Sequence, residues 1–508
     1  MFEDDGQDII APLVYVHALS SNPVIITHRD SINLRGDVRL TKHSGDVLLN
    51  HGDALRLTSS ISITFIENRE LSPETRCLTG IQKAEAQRFA SQYLVIDRIV
   101  GTGGHGGVFV AVKQSTQSQV ACKILSLPNK LSKPPWGVED AGEWEKRQLK
   151  KREDLAREYD VLKNLKHHPN IISMEKVFCT SHHIYIFQEL VTGGDLLSYL
   201  DHMGALGEPE AVVIIRQIVK AVEYLHSNGI VHRDIKPENV LLTSRERGSR
   251  IVLTDFGQAR MIEQSSTVFR MQSVVGTHGY TAPEVYHQLG QGPRRGSGYS
   301  KAIDIWSIGC LSATLLTNEL IFTDDTNENA NAHVIGDGAH SDRCWNVQVM
   351  DNRPEWRHIG RQAKSFIRSC LNVDESQRMT ADQALQHEWF INRHYASELE
   401  AAYERAIADW KPTGRTATVI EFVDTADISN EDLQPNDVDC LSGSKIPKHF
   451  MDSRMQTDIP RSMLTSALPR LPPSMSHTPL SSIHENFSDP TLFQPKCWTG
   501  KNQTVYQV

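Results

Sequence analysis

The chain has 508 residues, more than one compact core accommodates, which implies two domains plus connecting or terminal segments. Its 39% hydrophobic and 23% charged residues are those of a water-soluble globular protein, and a net charge of −9 argues against a dedicated nucleic-acid binder. Eight cysteines without a CxxC pair exclude the common zinc frameworks and fit free thiols in a reducing compartment. The acidic start MFEDDGQDII is not a secretory signal, and no apolar run reaches membrane-spanning length.

Residues 10–67 hold short β-like runs (LVYV, VIIT, ISITFI) with Gly- and Asn-rich turns at Leu34–Asp37 and Asn50–Asp53. Residues 68–90 read as a polar linker ending in a helical stretch. Residues 91–394 begin strand-rich and continue as amphipathic helices such as PEAVVIIRQIVKAVEYLHS, whose apolar residues recur at helical spacing. A short helix is expected over 395–411. From 412 to 508 the chain is rich in Ser, Pro, Thr and Asp with few apolar clusters, which predicts a disordered tail.

The first chemical signal is IVGTGGHGGVFVAVK, where Gly101, Gly103 and Gly106 form GxGxxG before Val108. Glycine permits a tight hairpin whose N–H groups approach phosphate oxygens without a Cβ in the way. With 32 glycines in the chain the pattern alone is weak. Its setting between two β-like runs separates it from a dinucleotide fold. An apolar strand, VACKIL, follows and carries Lys123, which would be costly to bury unless paired. Glu158 in REYDVLKNL, on a predicted helix, is the best partner, leaving Lys123 to hold nucleotide phosphates.

HRDIKPEN, residues 232–239, and TDFG, residues 254–257, supply the rest. Phosphoryl transfer needs positioning and charge neutralisation more than covalent chemistry. Asp234 can accept the proton of a substrate hydroxyl, and Lys236 can offset charge on the phosphoryl group. Asn239 and Asp255 are hard oxygen ligands suited to Mg2+. Any one aspartate is more often a turn or cap; the full set in this order removes that reading.

These residues resemble the eukaryotic protein-kinase signature set, from about Tyr93 to Phe390. The resemblance implies an α+β, two-lobed protein kinase fold, with a β-rich N-lobe, a helical C-lobe, and ATP with Mg2+ between them. It implies that Glu284 of TAPE pairs with Arg378, that Asp304 of IDIWSIGC supports the catalytic loop, and that Phe256 and His232 belong to the spine aligning the lobes. In IYIFQELVTGGDLL, Gln188 takes the gatekeeper position, Glu189 and Val191 offer backbone groups to adenine, and Asp195 reaches the ribose or a basic substrate residue. Lys236-Pro-Glu is the serine/threonine form of the loop. Glu238 and Asp195 imply protein substrates with arginine three residues before the acceptor. Arg233 implies a phosphate partner in the loop before TAPE. There Ser273 follows Arg270 at R-x-x-S spacing, a site for trans-autophosphorylation between two copies, and Thr277 contacts the acceptor residue.

LVYVHALSSNPVII, NHGDALRL and ISITFI resemble the second half of a forkhead-associated (FHA) domain, a β-sandwich that binds phosphothreonine peptides. The phosphate-gripping first strands have no counterpart before residue 10, as a truncated gene model would give. The region is expected either to be an incomplete sandwich with half a core or to dock on the kinase as a β-hairpin set. An FHA-like segment before a calmodulin-dependent-type kinase resembles the checkpoint effector kinases, the fungal meiosis-specific ones most of all. That resemblance implies a nuclear protein acting in DNA-break signalling. The rivals are a calmodulin-regulated kinase without a checkpoint role, disfavoured by the acidic ASELEAAYERAIADW, and a pseudokinase scaffold, disfavoured by the intact Lys123, Asp234, Asn239 and Asp255. The basic stretch within KPPWGVEDAGEWEKRQLKKRED reads as a solvated helix face.

Overall fold

The computed structural model describes residues 13–27, 37–42, 46–66, 78–103, 106–127, 141–261, 278–285, 300–322, 347, 349–412, 419–425, 428 and 503–507. Six strands come first: β1 (Leu13–His17), β2 (Val24–Thr27), β3 (Asp37–Leu40), β4 (Val47–Leu49), β5 (Ala54–Arg56) and β6 (Ser62–Thr64). They form two small sheets, one in the order β3-β2-β5-β6 and one pairing β1 antiparallel to β4. Between β4 and β5 the chain turns at Asn50–Asp53, as expected: Asn50 N–H donates to the Asp53 carboxylate at 2.7 Å and Gly52 has a positive φ of 86°.

The core of this N-terminal module does not close on itself. Its buried residues, among them Ile26, Leu40 and Leu48, pack in one cluster with Ile96, Val110 and Val112. Those three lie on β7 (Tyr93–Gly103) and β8 (Gly106–Lys113) of the next sheet. Half a sandwich would leave an apolar face in water; here the sheet that carries β7 and β8 covers it.

Helix α1 (Gly80–Phe89) opens on a capping box between Thr79 and Gln82, which satisfies two end N–H groups reciprocally. Its last residue, Phe89, stacks on Phe178 at 4.4 Å and meets Tyr185 edge-on at 5.0 Å. Glu85, fully buried, accepts from His183 Nδ1 at 2.7 Å and from Tyr185 OH at 2.9 Å. The linker thus ends in a helix anchored to the N-lobe by ring packing and a satisfied buried carboxylate.

The N-lobe sheet continues with β9 (Ser118–Ser126), β10 (Met174–Cys179) and β11 (His183–Gln188), in the order β7-β8-β9-β11-β10. Helix α2 (Ala141–Asn164) lies between β9 and β10 in the chain. The C-lobe is helical: α3 (Leu196–Met203), α4 (Glu208–Ser227), α5 (Ala302–Thr317), α6 (Arg361–Cys370) and α7 (Ala396–Ile407), with α4 and α5 the two largest contributors to one continuous core. Short strands β12 (Ile230–Val231), β13 (Val240–Leu242), β14 (Ile251–Leu253) and β15 (Arg260–Met261) pair as β12-β15 and β13-β14.

Within 412–508, where a disordered tail is expected, two short strands are described. β16 (Ile420–Phe422) runs parallel to β10 and extends the N-lobe sheet, and β17 (Gln503–Gln507) pairs parallel with β1. The first has a clear cause: the Val177 N–H donates to Val419 O and the Val423 N–H to Cys179 O, while Glu421 pairs with the buried Lys176 at 2.7 Å. An unpaired strand edge and a buried ammonium are both satisfied by one short segment.

Candidate active site

The β7–β8 hairpin brings Gly103 opposite Gly106 and Gly101 opposite Val108. A Cβ on Gly106 would sit 1.9 Å from the Ile124 carbonyl oxygen, so only glycine lets the hairpin lie this close to β9. In the next register Val108 faces Lys123 on β9.

Lys123 Nζ lies 3.1 Å from Asp255 Oδ1. Burial would push the Asp255 carboxyl up, but the Lys123 ammonium, His232 and the Gly257 N–H outweigh it and hold the group below the usual carboxylate range. Asp255 takes a left-handed backbone, φ 60° and ψ 76°, a costly conformation for a non-glycine residue that turns its carboxylate towards Lys123. The following Phe256 is fully buried and meets the His232 ring edge-on at 4.8 Å. Glu158, the partner expected for Lys123, falls on α2, and its side chain lies outside the described residues.

The catalytic loop is suspended from one carboxylate. Asp304, fully buried on α5, accepts from the His232 N–H at 2.9 Å, the Arg233 N–H at 2.8 Å and His226 Nε2 at 2.8 Å. Burial raises its pKa, and these donors together reverse that and lower it. The bonds fix Arg233 at φ 73°. His226 was not singled out in the sequence; a histidine at the end of an apolar helix gives no signal of its own.

Beyond that bend, Asn239 Nδ2 donates to the Asp234 carbonyl at 2.8 Å and to Asp234 Oδ2 at 2.7 Å, and Lys236 Nζ lies 3.1 Å from the same Oδ2. With its amide hydrogens so used, Asn239 has its side-chain oxygen to give a cation. Asn239 and Asp255 therefore fit a hard-cation site, and Lys123 and the glycine hairpin fit a polyphosphate.

At the hinge, Gln188 is buried at the end of β11. The Glu189 N–H donates to Ser173 O at 3.0 Å, which leaves its carbonyl to meet a base. The Glu189 side chain, unforeseen in this role, accepts from Ser173 N–H at 3.0 Å and from Arg250 at 2.7 Å, while Arg250 also reaches Pro169 O at 2.6 Å. Val191 is partly buried beside it. Asp195 caps α3, its two oxygens accepting from Ser198 N–H at 2.7 Å and Ser198 Oγ at 3.0 Å, a structural use beyond the one expected. Glu238 keeps a buried Oε2 with no hydrogen-bond partner among the described residues. Arg378 forks onto Glu284 at 2.7 and 3.0 Å and also binds Ala302 O. Ser273 and Thr277 lie outside the described residues.

The sequence profile described as "Protein kinase domain" matches residues 94–390, more than half of the chain. The meiosis-specific serine/threonine-protein kinase mek1 of Schizosaccharomyces pombe is 32% identical over 409 residues, covering 80% of this chain and 78% of that one. The meiosis-specific serine/threonine-protein kinase MEK1 of Saccharomyces cerevisiae is 31% identical over 434 residues, covering 80% and 77%. A calcium/calmodulin-dependent protein kinase type 1 of Macrobrachium nipponense is 36% identical over 309 residues, covering 60% and 77%.

Proposed function

Because the chain belongs to the protein kinase family, as a serine/threonine kinase similar to the calmodulin-dependent group, we propose that it phosphorylates arginine-directed protein sites in meiotic checkpoint signalling in the nucleus. Membership of the family implies the use of ATP and Mg2+. What supports the chemical reading is a pair of clusters, Asp234 with Lys236 and Asn239, and Lys123 with Asp255, linked through Thr254, whose N–H donates to Asn239 O and whose carbonyl meets His232.

Asp234 takes the proton of the incoming serine or threonine hydroxyl and orients its oxygen. Lys236, beside it, offsets charge on the phosphoryl group in flight. Lys123 holds the nucleotide phosphates, and the glycine hairpin covers them. Asn239 and Asp255 would hold Mg2+, which supplies neutralisation of phosphate charge. Glu238, with a buried oxygen lacking a partner among the described residues, would receive the guanidinium of an arginine three residues before the acceptor.

Ser273 would be phosphorylated in trans and dock on Arg233, ordering the substrate-binding loop. The meiotic assignment is supported by the two meiosis-specific relatives, whose similarity covers 80% of this chain. Phosphothreonine binding by that module has no such support from its residues. Among the described residues no helix is long and apolar enough to cross a membrane.

A peptide assay tests the core of this reading. Wild type should transfer phosphate to an R-x-x-S peptide and Asp255→Asn should not. Glu238→Ala should lower kcat/KM for that peptide roughly ten- to hundredfold, the loss of one charged hydrogen-bonded contact, and leave an arginine-free peptide unaffected. Equal losses on both peptides would remove the arginine preference. Full activity of Ser273→Ala after incubation with Mg-ATP would remove the phosphorylation switch.

A further inference from the structure

We infer that the N-terminal module is a bracket on the nucleotide cleft, and that Asp46 is its positioning residue, tying the module to the hinge through Thr192. Asp46 directly precedes β4. Its Oδ1 binds His17 Nδ1 at 2.8 Å, at the end of β1, and its Oδ2 accepts from the Thr192 hydroxyl at 3.2 Å. Thr192 is the residue after Val191, and its hydroxyl also lies 3.2 Å from Thr243 O in the C-lobe. One carboxylate therefore joins the two strands of the module's small sheet to the segment that receives the adenine.

A second contact grips the strand that carries Lys123. Gln119, near the start of β9, accepts from the Leu48 N–H at 2.8 Å and donates to the Leu48 carbonyl at 2.9 Å. The amide side chain stands in for a neighbouring strand and closes the open edge of β4. A third contact is apolar: Ile96, Val110 and Val112, on the outside of the glycine hairpin's two strands, are buried in the module's core. Tyr15, buried on β1, adds a fourth sign of the same placement. Burial and then Asp46 push its phenol up to about 12, against the opposing pull of Arg98 on the N-lobe and Arg245 on the C-lobe.

These contacts fall on the hairpin, the lysine strand and the hinge. All three frame a bound nucleotide, and a site held ready by such supports binds more tightly than one that must be ordered on binding. The module is thereby part of the nucleotide site's scaffold, and a ligand or modification that pulled it away would act on ATP affinity. The inference rests on kinase membership and not on the meiotic role.

Steady-state kinetics on the full-length chain, varying Mg-ATP at saturating peptide, test it. Asp46→Ala and Thr192→Val should each raise KM for ATP about three- to tenfold, the worth of one net hydrogen bond, with kcat within twofold. Asp46→Asn should restore the wild-type value, since its carbonyl still accepts the Thr192 hydroxyl. The double variant should fall well short of the sum of the two singles, because both lose the Asp46–Thr192 bond, while each also loses one contact of its own, to His17 and to Thr243 O. An unchanged KM in the single variants, or fully additive effects in the double, would overturn the proposal. Should Asp46→Ala fail to fold, Thr192→Val, at the other end of the contact, decides the question alone.

Discussion

Asp304 is fully buried, and among the described residues three donors take the place of water around its carboxylate. Replacing one partner of such a buried cluster strands the others, and Asp304→Asn should destabilise the protein by about 3 kcal/mol or more. The pH dependence follows from the direction of its shift. A carboxyl held below its ordinary value contributes stability above the unfolded value, near pH 4, and that contribution is lost as pH falls through the folded value. Urea unfolding between pH 3 and 7 should therefore show a shallower acid loss in Asp304→Asn than in wild type. Parallel profiles would mean that Asp304 is not the group responsible. The sequence carried this residue through a motif, whereas His226, which shares the same carboxylate, lay in an ordinary helix pattern. Motifs report residues whose chemistry fixes their identity; partners chosen by packing leave no such mark.

At the scale of elements, the strand-rich N-lobe and the long helices of the C-lobe were legible, because periodicity and turn residues are local. β16 was not read, although TVIEFV is a β-branched and aromatic run in an otherwise polar tail. Three residues of strand have no stability of their own, and only the open edge of β10 makes them a strand. A chain ending at Pro412 should accordingly lose the bonds to Val177 and Cys179, the packing of Val423 on the aromatic cluster and the Lys176–Glu421 pair. The expected cost is about 2–4 kcal/mol, with a lower melting temperature and a new tendency to self-associate through the bared edge. Calorimetry and size-exclusion chromatography would show both. Unaltered melting and a monomeric elution would mean that β16 only decorates the sheet.

For the whole molecule, the division into an N-terminal domain, a linker and a kinase does not coincide with the division of the core. Composition and turn signals place a boundary near residue 68, and chain-local reading goes no further, since nothing in Val110 or Val112 says which side of a sheet they bury or against what. In the fold these residues are inaccessible under the module, and Ile96 nearly so. Removing residues 1–66 would return them to water at about 2 kcal/mol each, an upper estimate because an unfolded chain already hides part of its apolar surface. The shortened kinase should melt roughly 5–10 °C below the full chain. In the full chain, the module and N-lobe should unfold in one transition, because neither half retains a complete core without the other. A module that melts separately, or a shortened kinase with the parent's melting temperature, would show that the shared cluster is a contact between two independent domains. A single transition would instead make the module part of the kinase's own folding unit, and so place any signal it receives directly upon the N-lobe sheet.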